Sequence, residues 1–554
     1  MSSAPRALTV LLLVAACGDS SPSSPDASVD AGIPDAALDA APPDAAPLPS
    51  CADLGFPVAP FVAGGTGSHR GELVGDFTVP LVDGTDFTLS ARWSGCDSYV
   101  FLPDTLHVSD LDATSLWSQD LAQLVAGSPR NAHYLFVSRQ ATDEAAAAAT
   151  AAMQERIDTL LATLAPADAA FWGARLHVIA GRAATMGGWL QPLLSTGLGG
   201  MGLAIDRAQR LRGVGFLADV NRYDQALADA GDWPFKSNLA YATHEVEYMN
   251  AQAVQAARLA AEDATVVPLW AGETLAEFAE TDVTLPSATE LEAYDTLEIE
   301  VTLACPDPES IEFGNCGAWD YIAALSVGTP PANVELARFI TSYHRETHWV
   351  VDATPLLPLL AAGGAEHFRW DFAPSWNTQP TTTWISLRLS NQGKGVRPVS
   401  ATYLWSGGDF GSAYNSARLP VLVDIPADAA KVELVAVVTG HGSGTNQCSE
   451  FCDHQHEFTV AGSVHLADFP MAGTMAGCVA EVADGMTPNQ GGTWWYGRGG
   501  WCPGQQVAPW VVDVTAEVTT GAATTISYRG LFAGADPPDG SGNIDLTSWL
   551  VVYE

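Results

Sequence analysis

The sequence predicts a multidomain fold in which an α/β domain is followed by two all-β jelly-roll sandwiches. Three observations lead there. The chain has 554 residues, and single hydrophobic cores stop growing at roughly 250 to 300 residues, so two or three cores are required. Up to about Asp263, short apolar runs alternate with helical periodicity. Beyond Ala264 the apolar period becomes two, broken by Gly and Pro turns, which is the pattern of stacked antiparallel sheets. The expected segments are 1–17, 18–50, 51–263, 264–405 and 406–554, with the joint between the sandwiches near Leu404 to Ala413.

The first segment has the layout of an export signal. Met1 to Arg6 carries one basic charge, and Ala7 to Ala16 is apolar but too short to span a bilayer. Val14-Ala15-Ala16-Cys17 resembles a lipoprotein processing box, which implies that the Cys17 thiol takes a lipid and becomes the anchored N-terminus. Gly18, rather than an acidic residue, points to the outer membrane, on its periplasmic or outer side. From Gly18 to Ser50 the chain is Ala, Asp, Pro and Ser without an aromatic residue. Such a segment cannot bury a core and is expected to be a disordered, self-repelling tether. The whole chain has 24 Lys and Arg against 64 Asp and Glu, a formal charge of −40. That balance repels phosphate backbones and argues against nucleic-acid partners.

In the 51–263 segment, Phe77 to Leu81, Tyr99 to Leu102 and Tyr134 to Val137 read as strands. Thr142 is placed to cap a helix in which Asp143 and Glu144 complement the dipole. Met153, Ile157, Leu160, Leu161 and Leu164 recur along one face before Pro166. Gly71 to Leu102 resembles the opening of a thioredoxin-like or peroxiredoxin-like fold. That family's chemistry needs a thiolate just after the central strand, whereas Cys96 precedes the strand and stands alone. The domain is therefore expected to be non-catalytic, with Cys96 bonded to Cys51. His244-Glu245 and Glu247 lack a second His at zinc-protease spacing and read as a polar helix face.

In the β-rich part, Leu297 to Leu303, Ala337 to Ile340 and Lys431 to Val438 alternate as half-buried strands. Apart from Cys17, eight cysteines remain, an even number in a chain bound for an oxidising compartment. They permit roughly a hundred pairings, although Cys305 with Cys316 and Cys448 with Cys452 could each close a short loop. Export and the lack of paired C-x-x-C spacing disfavour structural zinc.

Around those cysteines lie three clusters rich in carboxylates, Trp and Arg, namely Cys305 to Tyr321, Gly440 to Phe458 and Trp494 to Gly504. Taken singly, a Trp beside a disulfide is core packing and an Asp in a short disulfide loop is a turn residue. Together the segments resemble the peptide-N-glycosidase F family from about Ala264 to the C-terminus. The likeness is carried by Trp319-Asp320 after Cys316, Ala337-Arg338-Phe339-Ile340-Thr341, Cys448-Ser449-Glu450-Phe451-Cys452, and Arg498-Gly499-Gly500-Trp501-Cys502-Pro503-Gly504.

The resemblance implies two adjacent jelly rolls and a disulfide between Cys478 and Cys502, which leaves Cys51 and Cys96 for each other. It implies hydrolysis of the amide joining an asparagine side chain to the first sugar of an N-linked glycan, with N-glycosylated proteins or peptides as substrates and neither cofactor nor metal. Asp320 matches the family's principal acid/base group and Glu450 its second carboxylate, which holds water or a polar substrate group. Trp319 and Arg498 match residues lining the cleft, with a stacking face and a donor fork.

Two departures stand out. The family's third acidic residue, expected before a Trp matched to Trp376, is missing, and Asp371 is the nearest substitute. Tyr321 replaces an Arg. Two rival readings follow from the residues: a glycan- or protein-binding lipoprotein that has lost turnover, and a copper-dependent monooxygenase-like enzyme. The second rests on His454-Gln455-His456, which puts two imidazoles on one strand face, with His441 upstream.

Overall fold

The computed structural model describes residues 51–52, 55–67, 69–104, 117, 121–195, 202–215, 217, 237–442 and 448–554. The export signal, Cys17 and the acidic spacer fall outside them, as does the Cys448 side chain. Pro47 to Glu554 forms one compact unit.

The chain opens with a short hairpin, β1 (Thr78–Pro80) and β2 (Asp86–Thr88). It leads into a sheet of β3 (Ser98–Pro103), β4 (Ala132–Ser138), β5 (Leu176–Arg182), β6 (Leu203–Ile205) and β7 (Leu211–Gly213), ordered β5-β4-β3-β6-β7. The pairs β3–β4 and β4–β5 are parallel, and β6 and β7 close the other side antiparallel. Every residue of β3 and β4 is buried, as a sheet covered on both faces requires. Alternate side chains serve two cores: Val100, Leu102, Tyr134 and Phe136 on one face, Tyr99, Phe101, Leu135 and Val137 on the other. Its longer helices are α1 (Leu121–Gly127), α2 (Asp143–Leu161), α3 (Pro166–Gly173) and α4 (Ser237–Ala261). Thr142 caps α2 as its sequence predicts, its hydroxyl accepting from the Ala145 N–H at 3.2 Å. Met153, Ile157 and Leu160 face the sheet. Cys51 is bonded to Cys96.

Two eight-stranded sandwiches follow, in which every paired strand is antiparallel. In the first, β8 (Ala264–Leu275), β10 (Thr296–Ala304), β13 (Thr347–Asp352) and β15 (Thr381–Ser390) form the sheet β13-β10-β15-β8. It packs on β12-β11-β14-β9, made of β9 (Phe278–Ser287), β11 (Ile322–Val327), β12 (Val334–Ile340) and β14 (Gly363–Asp371). The second sandwich pairs the sheet β16-β23-β18-β21 with β17-β22-β19-β20. Its first sheet is β16 (Pro398–Asp409), β18 (Lys431–His441), β21 (Trp510–Asp513) and β23 (Asn543–Tyr553). Its second is β17 (Val421–Asp424), β19 (His454–Val460), β20 (Ser463–Asp468) and β22 (Ala523–Phe532).

Three sequence expectations need correction. The joint placed at Leu404 to Ala413 falls on β16, which already pairs with β23. The connection is Asn391 to Arg397, where Gly393 and Gly395 adopt φ of 71° and 77°, a region that suits glycine. Strand β18 is not half-buried. Val432 to Gly440 are all buried, because Val432, Leu434, Ala436 and Val438 fill the second sandwich while Val435, with Trp549, Val551 and Tyr553 of β23, packs into the core of the first. The polar face at His244, Glu245 and Glu247 is divided. His244 pairs with Glu247, whereas Glu245 is fully buried against Arg345 of the first sandwich. The polar pattern of α4 reads as solvent-facing only until a partner charge arrives from elsewhere in the chain.

The shared core yields a prediction. Trp549→Ala should destabilise the chain by about 3–5 kcal/mol, the cost of emptying a large buried site, whereas Trp384→Ala, at a residue 41% exposed, should cost about 1 kcal/mol or less. Urea midpoints of the two variants check this, and equal midpoints would count against a core shared by the sandwiches.

Candidate active site

Asp320 is set by backbone clamps on both neighbours. The Gln379 amide accepts from the Trp319 N–H at 2.8 Å and donates to the Trp319 carbonyl at 3.3 Å. The Thr341 hydroxyl donates to the same carbonyl at 2.6 Å and accepts from the Tyr321 N–H at 2.8 Å. Upstream, the Cys305–Cys316 disulfide closes the loop that delivers Trp319 and Asp320. The Tyr343 phenol stands beside Asp320, close enough for its hydroxyl to favour the ionised carboxyl. Burial, then the Asp320 charge, push the Tyr343 phenol well up, so it stays a proton donor.

Glu450 lies on a single helical turn, α5 (Cys448–Phe451), between β18 and β19. The turn is held where the Glu450 carbonyl accepts from the Gly499 N–H at 2.7 Å, and where Ser449 donates its N–H and hydroxyl to the Ser541 carbonyl. Cys452 is a half-cystine.

Arg498 comes from the long excursion between β20 and β21, which is closed by the Cys478–Cys502 disulfide. Its guanidinium stands between the two carboxylates, with Nε 3.1 Å from Glu450 and Nη2 3.8 Å from Asp320. The Nε–H is not aimed along a hydrogen bond, so that contact is an ion pair. The group also donates to the Thr493 carbonyl at 3.1 Å, the Tyr496 carbonyl at 2.7 Å and the Thr493 hydroxyl at 3.0 Å. Phe451 and Trp501 cover its faces, at 4.8 and 5.1 Å. Its side chain is 1% exposed. The donor fork expected to face substrate is therefore turned inward: Arg498 sets the charge between Asp320 and Glu450, because its own donors are committed to Thr493 and Tyr496.

Both carboxyls bind their protons more tightly than in water. Burial raises Glu450 to about 7, against the pull of Arg498 and with a further push from Asp320. Burial also raises Asp320, opposed by the Tyr343 hydroxyl and by Arg498. The pair thus holds an acid that exchanges its proton near neutral pH beside a second carboxyl that shares its guanidinium.

Beside Asp320 the surface is aromatic. Trp319 is 51% exposed and Trp376 79% exposed. Trp376 meets the Tyr321 ring edge to face at 6.2 Å, and the Tyr321 hydroxyl accepts from Asn377 at 2.7 Å. Exposed indoles of this kind are available to stack on a sugar face. The structure thus brings Asp320, Glu450, Arg498, Trp319 and Trp376 to one neighbourhood. Asp371 is engaged elsewhere, bound through both oxygens to Arg369 at 2.6 and 2.7 Å, while Arg369 also binds Glu280 at 2.7 Å.

His454 and His456 share a strand face as predicted, but their ring nitrogens are bonded to each other at 2.8 Å, and His456 Nδ1 meets the Tyr528 hydroxyl at 2.6 Å. His441 stacks on Trp501 and bonds Thr439. Burial lowers His454 to about 4 and His456 well below the usual range. Three of the four ring nitrogens of His454 and His456 are thus engaged, while the buried Nε2 of His454 has no hydrogen-bond partner. Sequence reasoning missed Tyr343, Gln379, Thr341 and Thr493, whose roles arise from long-range contacts that leave no local periodicity.

Residues 409–551 match the family model described as peptide-N-glycosidase F, C terminal. Over this stretch the chain is similar to peptide-N-glycosidase F. A peptide-N(4)-(N-acetyl-beta-D-glucosaminyl)asparagine amidase F from Elizabethkingia miricola is 25% identical over 286 residues, 47% of this chain and 73% of that protein. Among solved structures, a crystal structure of peptide-N(4)-(N-acetyl-beta-D-glucosaminyl)asparagine amidase is 18% identical, with a TM-score of 0.42, covering 53% of this chain and 96% of its own. One of PNGF-II is 14% identical, with a TM-score of 0.38, covering 63% and 73%. Asp320 belongs to the first sandwich, while Glu450 and Arg498 belong to the second.

The raised Glu450 makes stability depend on pH. Its folded value lies above that of the unfolded chain, so its contribution is fully present below about pH 4.5 and is lost as pH rises through about 7. Relative to Glu450→Gln, the unmodified chain should lose up to about 3 kcal/mol across that window. Thermal unfolding of both proteins from pH 4 to 8 measures the difference, and a constant gap would show that Glu450 titrates normally.

Proposed function

We propose that this chain is a peptide-N4-(N-acetyl-beta-glucosaminyl)asparagine amidase, a hydrolase that removes N-linked glycans from glycoproteins or glycopeptides. The observation that carries the reading is the convergence of Asp320 and Glu450 on one buried guanidinium, beside two exposed indoles. The sequence relative named for this activity supports it.

In the reaction, water adds to the side-chain carbonyl carbon of the glycosylated asparagine. The C–N bond breaks, and the nitrogen leaves with the sugar as a glycosylamine after gaining a proton, while aspartate remains in the peptide. Amide cleavage needs a base for the water and an acid for the leaving nitrogen. Asp320, held by the clamps of Gln379 and Thr341 on its neighbours, acts at the linkage. Glu450 exchanges protons near neutral pH and holds the attacking water or a polar substrate group. Arg498 keeps the pair from repelling as charge develops. Trp319 and Trp376 hold the first sugars against the site.

One observation favours a second reading. With Asp371 tied to Arg369, no third acid stands in for the missing one among the sequence candidates, as a binding module that has lost turnover would allow. Export, a lipid anchor at Cys17 and a thioredoxin-like ancestry of the N-terminal domain remain part of the proposal. They rest on the N-terminal sequence and on the segment from Gly71 to Leu102.

Incubation with denatured N-glycoprotein and a chelator, read by peptide mass spectrometry, should convert glycosylated Asn to Asp. Asp320→Asn should abolish the conversion and Glu450→Gln should slow it by about 10²-fold or more. Glycan binding without conversion, across several glycan classes, would favour the binding module instead. In the active protein, Trp319→Ala should raise KM for a glycopeptide roughly 2- to 10-fold with little change in kcat, as loss of a stacking face predicts.

A further inference from the structure

Three buried residues on one face of α4 reach both halves of the site. Tyr241, Glu245 and Tyr248 follow at spacings of four and three, so they project together, and each is at most 1% exposed. Tyr241 stacks on Trp494, with ring centres 5.8 Å apart, and accepts from its indole N–H at 3.3 Å. The next residue toward the N-terminus, Thr493, gives its carbonyl and its hydroxyl to Arg498.

Glu245 takes Arg345 through both oxygens at 3.0 and 2.7 Å, and Arg345 in turn donates to the Pro488 carbonyl at 2.8 Å. Tyr248 accepts from the Thr487 hydroxyl at 3.0 Å. The segment so gripped carries Asn489, which accepts from the Tyr343 N–H at 2.6 Å, and Gln490, whose N–H donates to the Tyr343 carbonyl at 2.9 Å. Next to Tyr343, the His344 N–H donates to the Gly317 carbonyl at 2.7 Å in the loop that carries Asp320, and the Tyr343 phenol itself stands beside the Asp320 carboxyl.

We propose that α4 of the α/β domain is a positioning element of the active site: Tyr241 acts through Trp494 and Thr493 on Arg498, and Glu245 and Tyr248 act through the 487–490 segment and Tyr343 on Asp320. The inference rests on the amidase reading for its catalytic meaning. The geometry explains why an extra domain is joined to this site without contributing a reacting group. Arg498 and Asp320 sit on excursions outside the sheets, and such segments hold a reacting geometry only when their supports are rigid. Buried pairing adds to that rigidity: without Glu245, Arg345 keeps Glu312 at 3.0 Å but loses the two bonds that fix the guanidinium against Pro488, beside the tether of Tyr343.

The test uses Tyr248→Phe and Glu245→Gln in the full chain, with exposed Arg156→Ala on α2 as control. Hydrogen exchange should quicken in peptides spanning 487–503 and 318–324, while the sheets of both sandwiches keep their protection. In the active protein, kcat should fall about 10-fold or more with KM unchanged within roughly twofold. The pH limb set by the carboxyl pair should also move, which a merely structural contact would leave in place. Tyr248→Phe removes one hydroxyl, so it reports even if Glu245→Gln fails to fold. Unchanged exchange in both site peptides overturns the inference, and so does faster exchange with an unaltered kcat and pH profile. If the unmodified chain releases no glycan, the amidase reading falls, and exchange at the Asp320 and Arg498 peptides alone decides whether α4 holds them.

Discussion

A guanidinium removed from water costs several kcal/mol unless its charge and its N–H groups are answered. Much of the structure around Arg498 exists to answer them. Glu450 and Asp320 supply the charge, and the carbonyls of Thr493 and Tyr496 accept the donors. The same burial that penalises the cation also penalises the carboxylates, and this is what carries Glu450 up to about 7. Two carboxyls that would be unremarkable in water thereby hold their protons more tightly, and Glu450 exchanges its own near neutral pH.

Keeping such a set together requires the two sandwiches to be joined firmly, because Asp320 and Glu450 come from different ones. The joint is made in two ways. Within the sheet β16-β23-β18-β21, the central strands β18 and β23 are buried along most of their length, and they send Val435, Trp549 and Val551 into the neighbouring core. In addition, the edge of β12 takes a short segment of the second sandwich: the Ile340 N–H donates to Gln505, and the Val507 N–H donates to Arg338. Arg338 crosses the joint as well, donating to Thr439 and to the Asp545 carbonyl. The α/β domain adds a third support, its core continuous with Val479, Val482, Trp494 and Trp495.

Legibility in the sequence followed the range of the interactions. The Thr142 cap, the alternation of β10 and the loop closed by Cys305 and Cys316 depend on residues close in the chain, and each could be read directly. The candidate carboxylates could be read through the family resemblance, from Trp319-Asp320 after Cys316 and from the Cys448 to Cys452 segment that holds Glu450. Tyr343, Gln379 and Thr493 could not, since an isolated phenol, amide or hydroxyl looks the same whether it clamps an active-site loop or faces water. The inward turn of Arg498 and the engagement of Asp371 by Arg369 were hidden for the same reason. Glu245 is the sharpest case: it stands between the polar His244 and Glu247 in a helix that is otherwise apolar around it, and only Arg345, a hundred residues later, supplies the charge that its burial requires.

By itself the sequence determined the succession of an α/β domain and two β-sandwiches, since a hydrophobic period of two or of 3.6 decides which local structure can bury a face. It also determined which residues were chemically able to form a site. Tertiary structure alone decided which of them face water, which carboxyl is pushed toward neutral pH, and that a helix of the N-terminal domain braces loops of both sandwiches. Desolvation and ion pairing depend on what surrounds a group in space, and those neighbours are brought together only when sheets from distant parts of the chain pack against one another.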